Sequence, residues 1–131
     1  MSTLKATVRY RGTAFAGWQV QPNQRTVQGA IEDALATIAQ APVRITGAGR
    51  TDAGVHALAQ VFSCAWQGTP DCEKLQRSLC QMLAPDIRIE YLEIAPDGFH
   101  AIDDAVAKTY AYAFYDSVHG DPFTTDLAWA L

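Results

Sequence analysis

The chain has 131 residues, enough for one domain with a single core but not two. With 49% apolar and 18% charged residues, it is not an intrinsically disordered chain. Ten Lys and Arg against fourteen Asp and Glu give a net charge of −4, which argues against a simple polycationic nucleic-acid binder, because neutralising phosphates takes cations.

In chain order, Leu4, Ala6, Val8 and Tyr10 alternate with Lys5, Thr7, Arg9 and Arg11, which predicts a strand with a basic outer face. Residues 12–24 are rich in Gly, Pro, Asn and Gln and predict a long loop that also holds Phe15 and Trp18. Thr26 is the expected N-cap of a helix reaching about Gln40, with Val27, Ala30, Ile31, Ala34, Leu35 and Ile38 on one face and Pro42 beyond its end. A short strand is expected at 43–45, a glycine-rich turn at 47–57 and an apolar strand at 59–66. Thr69-Pro70 reads as an N-cap followed by a first-turn proline. The second helix then runs to about Leu83, with Leu75, Leu79, Met82 and Leu83 inward, and Pro85 ends it. Strands at 87–94 and 106–115 flank a loop at 95–104, and residues 119–131 read as an extended tail. The order β-α-β-β-α-β-β predicts an α+β domain, an antiparallel sheet with helices packed on one face.

No apolar run approaches the roughly 18–20 residues of a membrane span, and the N-terminus lacks a signal-peptide block, so the chain reads as cytoplasmic. Cys64, Cys72 and Cys80 are too far apart for a CxxC metal or redox motif and read as reduced, mostly buried thiols. His56, His100 and His119 are scattered, without the clustering a zinc site needs.

The segment richest in chemistry is Gly49-Arg50-Thr51-Asp52-Ala53-Gly54-Val55-His56-Ala57. It is a tight, glycine-flanked turn that carries a carboxylate beside a guanidinium. A carboxylate held on such a turn can serve as nucleophile or base. Arg50 can keep Asp52 ionised or hold a phosphate. The plainer reading is an Asx-turn in which Asp52 only caps the backbone. Charge distribution directs any anion-binding surface to the first half of the chain, or to chains added beside it: residues 1–50 hold six basic and two acidic residues, whereas residues 51–131 hold four basic and twelve acidic ones.

Arg50-Thr51-Asp52-Ala53-Gly54-Val55-His56-Ala57 resembles the catalytic motif of the tRNA pseudouridine synthase A family. Three further segments resemble that family in order and spacing. They are Tyr10-Arg11-Gly12-Thr13 with Phe15, Gly17-Trp18-Gln19 and Gln21-Pro22; Thr26-Val27-Gln28; and Phe99-His100-Ala101 with Lys108-Thr109-Tyr110-Ala111-Tyr112. The resemblance implies a ferredoxin- or RRM-like half of the synthase fold. It also implies isomerisation of uridine to pseudouridine in the anticodon stem-loop of tRNA, with no cofactor or metal. It casts Asp52 as the catalytic carboxylate and Tyr110 as the ring that stacks on the flipped uracil. It places Arg50, Thr51, Gly54, His56, Arg11, Trp18 and Lys108 in substrate or RNA contacts.

On the residues alone, other readings stand beside these. His56 and His100 serve to position loops, Trp18 serves as a staple over its loop, Arg9 and Arg11 form a solvated strand face, and Tyr110, Tyr112 and Phe114 are core. The aromatic signature of an RNA-recognition motif is absent. The chain departs from the family pattern at Ile102 and Asp103, where an arginine and an aromatic are typical. It resembles the N-terminal half only, and the absent half normally supplies a basic partner for the aspartate and one wall of the cleft. The alternative is therefore a catalytically incompetent remnant that binds RNA or pairs with a subunit. A sheet meant to continue exposes an edge or an apolar face, so self-association, as in the homodimers of the family, is expected.

Overall fold

The computed structural model describes residues 1–96, together with the backbone of two short strands at Phe114–Tyr115 and Trp129–Ala130. Strand β1 (Ser2–Tyr10) alternates as its sequence requires, burying Leu4, Ala6, Val8 and Tyr10. A single 3-10 turn (Gly12–Ala14) follows, then helix α1 (Val27–Ala39), strand β2 (Ile45–Gly47), strand β3 (Ala57–Trp66), helix α2 (Cys72–Leu83) and strand β4 (Ile87–Ala95). The sheet order is β2-β3-β1-β4, and every neighbouring pair is antiparallel. This is the split β-α-β arrangement of ferredoxin-like domains: each helix connects two strands that flank a third. The two helices pack against each other on one face of the sheet, the arrangement that right-handed crossovers produce. Val27, Ile31, Ala34 and Leu35 from α1 and Leu75, Leu79 and Leu83 from α2 join the strands in one apolar core.

Both helices begin where a side chain can receive an orphan amide. Thr26 Oγ1 accepts from Gly29 N at 3.1 Å. For α2 the cap is Asp71, whose carboxylate accepts from Lys74 N at 3.2 Å, rather than the expected Thr69. An aspartate standing two residues later is the stronger cap and displaces the Thr-Pro signal. Met82, expected inward, is 46% exposed. The buried row is Leu75, Leu79 and Leu83 at four-residue spacing, and Met82 lies about 100° around the helix from Leu83. Helix α1 ends on Gln40 in the left-handed region, and α2 ends on an extended Ala84 ahead of Pro85.

Strand β2 begins at Ile45, not Val43. Glu32 Oε2 accepts from Ile45 N at 2.9 Å, and Gln28 Nε2 donates to Ile45 O at 3.1 Å. Side chains of α1 thus take both backbone groups of the first residue of this edge strand. At the other edge, Thr7 pairs with Tyr91 and Val8 with Ile89, which leaves Glu90 as a bulge. Gln76 Nε2 donates to the carbonyls of Ile89 and Glu90 at 3.0 and 2.9 Å, fixing that bulge to α2. Arg9 and Arg88 lie 3.4 and 3.5 Å from the Glu90 carboxylate, partly exposed ion pairs that add little stability.

Strands β5 (Phe114–Tyr115) and β6 (Trp129–Ala130) pair in parallel. The expected strand at 106–115 otherwise lies outside the described residues, as do the loop at 97–104 and most of the tail. Among the described residues no helix is long and apolar enough to cross a membrane. The cysteines are unpaired; Cys64 is buried, and Cys72 and Cys80 are half-buried.

Burial pushes the Cys64 thiol from its ordinary 9.0 up to about 11. The unfolded chain ionises this group at lower pH than the folded one, so its contribution to stability is whole below pH 9.0 and is lost as the pH rises towards about 11. Urea titrations across that window should show the unfolding free energy falling by about 2–3 kcal/mol more in the wild type than in Cys64→Ala. Identical alkaline slopes in the two proteins would show that the thiol ionises freely in the fold.

Candidate active site

Two loops that are distant in sequence are laid against each other at one end of the sheet. The first runs from Arg11 to Arg25, between β1 and α1; the second runs from Ala48 to His56, between β2 and β3. Their contacts are largely backbone. Trp18 N donates to Thr51 O at 3.0 Å, Gly54 N to Phe15 O at 3.3 Å, and Gly12 N to His56 Nδ1 at 2.8 Å. Tyr10 and Thr51 join their hydroxyls at 2.7 Å, so β1 also holds the second loop directly. The first loop is anchored in turn by Val27 N to Gly17 O, Gln28 N to Trp18 O, and Ala16 N to Arg25 O.

This apposition requires glycine at two positions in particular. A Cβ on Gly12 would collide with the carbonyl of Val55, and no rotamer change relieves a backbone clash. Gly17 has φ +100°, and its Cβ would lie 2.8 Å from Thr51 O. The rings of this region are core. Trp18 is 2% exposed, stacks on Tyr10 at 5.9 Å between centroids, and packs against Gly47. Phe15 is buried beneath the Arg25 guanidinium, 4.4 Å from its ring centroid. Trp18, expected among the RNA contacts and also readable as a staple, is buried between Tyr10 and Gly47 among the described residues.

Asp52 stands on the tip of the second loop. Val55 N donates to Asp52 O at 3.1 Å, closing a β-turn in which Gly54 takes φ +80°. That is the position where a type II turn requires positive φ. Asp52 is exposed, and among the described residues its carboxylate has no hydrogen-bond or ion-pair partner. The Asx-turn reading therefore does not describe this site: the turn is closed by backbone, and among the described residues the carboxylate takes no part in it. Arg50 is also exposed and forms no ion pair among the described residues. Its guanidinium is uncommitted to Asp52 and open to an anion.

The remaining expected site residues divide by position. Thr51 is half-buried and holds Tyr10. Gly54 shapes the turn, with open space where a Cβ would stand. His56 is half-buried with Nδ1 facing the Gly12 amide. Arg11 is exposed, with its amide on Asp86 O at 2.8 Å. Lys108 and Tyr110 lie outside the described residues. Sequence reasoning missed Gln60, a β3 side chain only 9% exposed whose Nε2 donates to Gly49 O at 2.5 Å, one residue before Arg50. A Gln placed on the inward register of a strand that otherwise buries Phe62 and Cys64 was the available signal.

The chain is an α+β domain with an exposed aspartate on a turn clamped at both ends. The comparisons with known proteins identify its family. The family model for tRNA pseudouridine synthase matches residues 6–102, and the chain belongs to that family. The tRNA pseudouridine synthase A of Dictyoglomus turgidum is 40% identical over 131 residues, covering 98% of this chain and 54% of its own length. That of Lacticaseibacillus casei is 42% identical, covering 94% of this chain and 50% of its own length. That of Methylacidiphilum infernorum is 44% identical, covering 95% and 49% respectively. The chain thus spans about half the length of the curated relatives it matches.

The two glycines that face opposite conditions should respond differently to one added methyl. Gly12→Ala, which meets backbone, should cost about 2–3 kcal/mol. Gly54→Ala, which meets open space and only the positive φ, should cost about 1 kcal/mol. Thermal melts of the two variants compare them directly, and equal losses would contradict the close approach of the loops.

Proposed function

We propose that this chain supplies the aspartate-bearing side of a cleft that converts uridine to pseudouridine within the anticodon stem-loop of tRNA. The observation that carries this reading is the Asp52 carboxylate: exposed, unpartnered among the described residues, and mounted on a turn whose shape does not depend on it. The reaction breaks the bond from N1 to the ribose, turns the base, joins C5 to the same ribose carbon, releases the C5 proton and leaves N1 carrying a proton, so that no net atoms are gained or lost. The base must leave its stack to reach any protein group. Asp52 provides the carboxylate the isomerisation needs, as nucleophile or as base towards the ribose.

Arg50, two residues away and free of an ion pair among the described residues, is suited to the phosphate of the extruded nucleotide. By family resemblance, Tyr110 stacks on the uracil and assists loss of the C5 proton, Lys108 and Arg11 contact the RNA backbone, and no cofactor takes part. A cytoplasmic location and pairing of two copies complete the reading. The exposed face of β1 supports an RNA role, since Lys5 and Arg9 lie on it, although both are engaged by acidic residues of β4, at 3.9 and 3.4 Å.

Tritium release from tRNA labelled at uridine C5 tests the proposal on this 131-residue chain. The wild type should release tritium, and Asp52→Asn should lower the rate by at least ~100-fold. Equal rates for the two proteins would remove Asp52 from the chemistry, and no release by either would show that this chain alone is not a competent enzyme.

A further inference from the structure

The geometry points to His56 as a positioning residue that latches the first loop onto the Asp52 turn through the Gly12 amide. Its assignment among substrate contacts came from the motif, whereas its place in the fold is different. Nδ1 lies 2.8 Å from Gly12 N, and an amide nitrogen can only donate. Nδ1 is therefore the acceptor, and the ring's proton sits on Nε2. The contact is tight on both sides, because Gly12 lies flush against the Val55 carbonyl, with no room for a Cβ.

The latch occupies a particular place in the turn. Its leading end, Thr51, is held by the Trp18 amide and the Tyr10 hydroxyl, at 3.0 and 2.7 Å. Its trailing half has the Gly54 N to Phe15 O bond, at 3.3 Å, and the His56 latch at 2.8 Å. Asp52 lies between these two anchor points, and its carboxylate has no tether among the described residues. Releasing His56 leaves only the 3.3 Å Gly54–Phe15 bond between the Thr51 end and the start of β3, where Ala57 pairs with Tyr10, so the turn between these two ends can shift and carry the carboxylate with it. Displacements of about 1 Å at a reacting group can lower rates by as much as ~100-fold.

A chemical distinction makes this testable. Asparagine places an oxygen where His56 has Nδ1, while glutamine places one nearer the position of Nε2. Amide hydrogen exchange on the 131-residue chain is the primary measurement. His56→Gln should speed exchange at Gly12 by about tenfold or more, with a smaller rise at Gly54, while core amides such as Leu35 and Phe62 keep their protection. His56→Asn should hold Gly12 near its wild-type rate. In the unmodified protein, nitrogen chemical shifts should show an unprotonated Nδ1, a reading that needs no variant to fold.

The catalytic consequence rests on the pseudouridine synthase reading. In tritium release, His56→Gln should lower kcat by about tenfold with KM unchanged, and His56→Asn should recover most of that loss. A protonated Nδ1, equal Gly12 exchange in all three proteins, or loss of protection in His56→Asn as large as in His56→Gln would overturn the latch. A raised KM with kcat intact would make His56 an RNA contact instead. If the wild type releases no tritium, this chain alone is not a competent enzyme, while the exchange rates and the Nδ1 shift still decide the latch.

Discussion

The architecture at the functional end depends on one close approach: the backbone of Gly12 against the carbonyl of Val55. A ferredoxin-like sheet has no intrinsic reason to fix the loop after its second strand, because that loop lies beyond the strand ends and away from the helix-covered core. Here the fixation comes from the loop after β1. It can come near only because two of its residues carry no side chain, and once near it supplies amides where the second loop offers acceptors. Backbone bonds of this kind are worth about 1 kcal/mol each, so several in register are needed to hold a turn against solvent.

Behind these bonds sit three rings that make the arrangement stiff. Tyr10 comes from the end of β1, and Trp18 and Phe15 come from the first loop. Tyr10 does two jobs: its ring stacks on Trp18, while its hydroxyl reaches Thr51. The indole presses on Gly47 at the end of β2, so the loop is wedged between the first strand and the edge strand. Arg25 ties the same region outward, lying over Phe15 and 3.9 Å from the Asp86 carboxylate at the foot of β4. The sheet, both loops and the start of α1 are thus tied together around Asp52.

Much of this fold was legible in the sequence because its signals are local. The period of two in 4–10 and the row of Val27, Ile31, Ala34 and Leu35 follow directly from pleat and helix geometry. Where the sequence misled, a competitor lay outside the window being read. Strand β2 shifted because Glu32 and Gln28, thirteen and seventeen residues before Ile45, take its backbone groups. Helix α2 shifted because a carboxylate outcompeted a hydroxyl two residues earlier. Asp52 was visible only through its resemblance to a known motif, since aspartate in a glycine-rich turn is common. The staple role of Trp18 and the loop-holding place of His56 stood in the sequence only as readings beside RNA contact, with nothing to choose between them. Both depend on which distant loop arrives beside them, and no spacing rule encodes that meeting.

The independence of the Asp52 carboxylate from its own turn has an evolutionary consequence. Val55 N closes the turn on a carbonyl, and a carbonyl is present whatever the side chain. Position 52 can therefore change identity with little disturbance to folding, whereas Gly12 and Gly17 cannot. On the proposed reading, the demands of chemistry fall on position 52 and the demands of folding on Gly12 and Gly17, so a change at one address need not rebuild the frame held by the other.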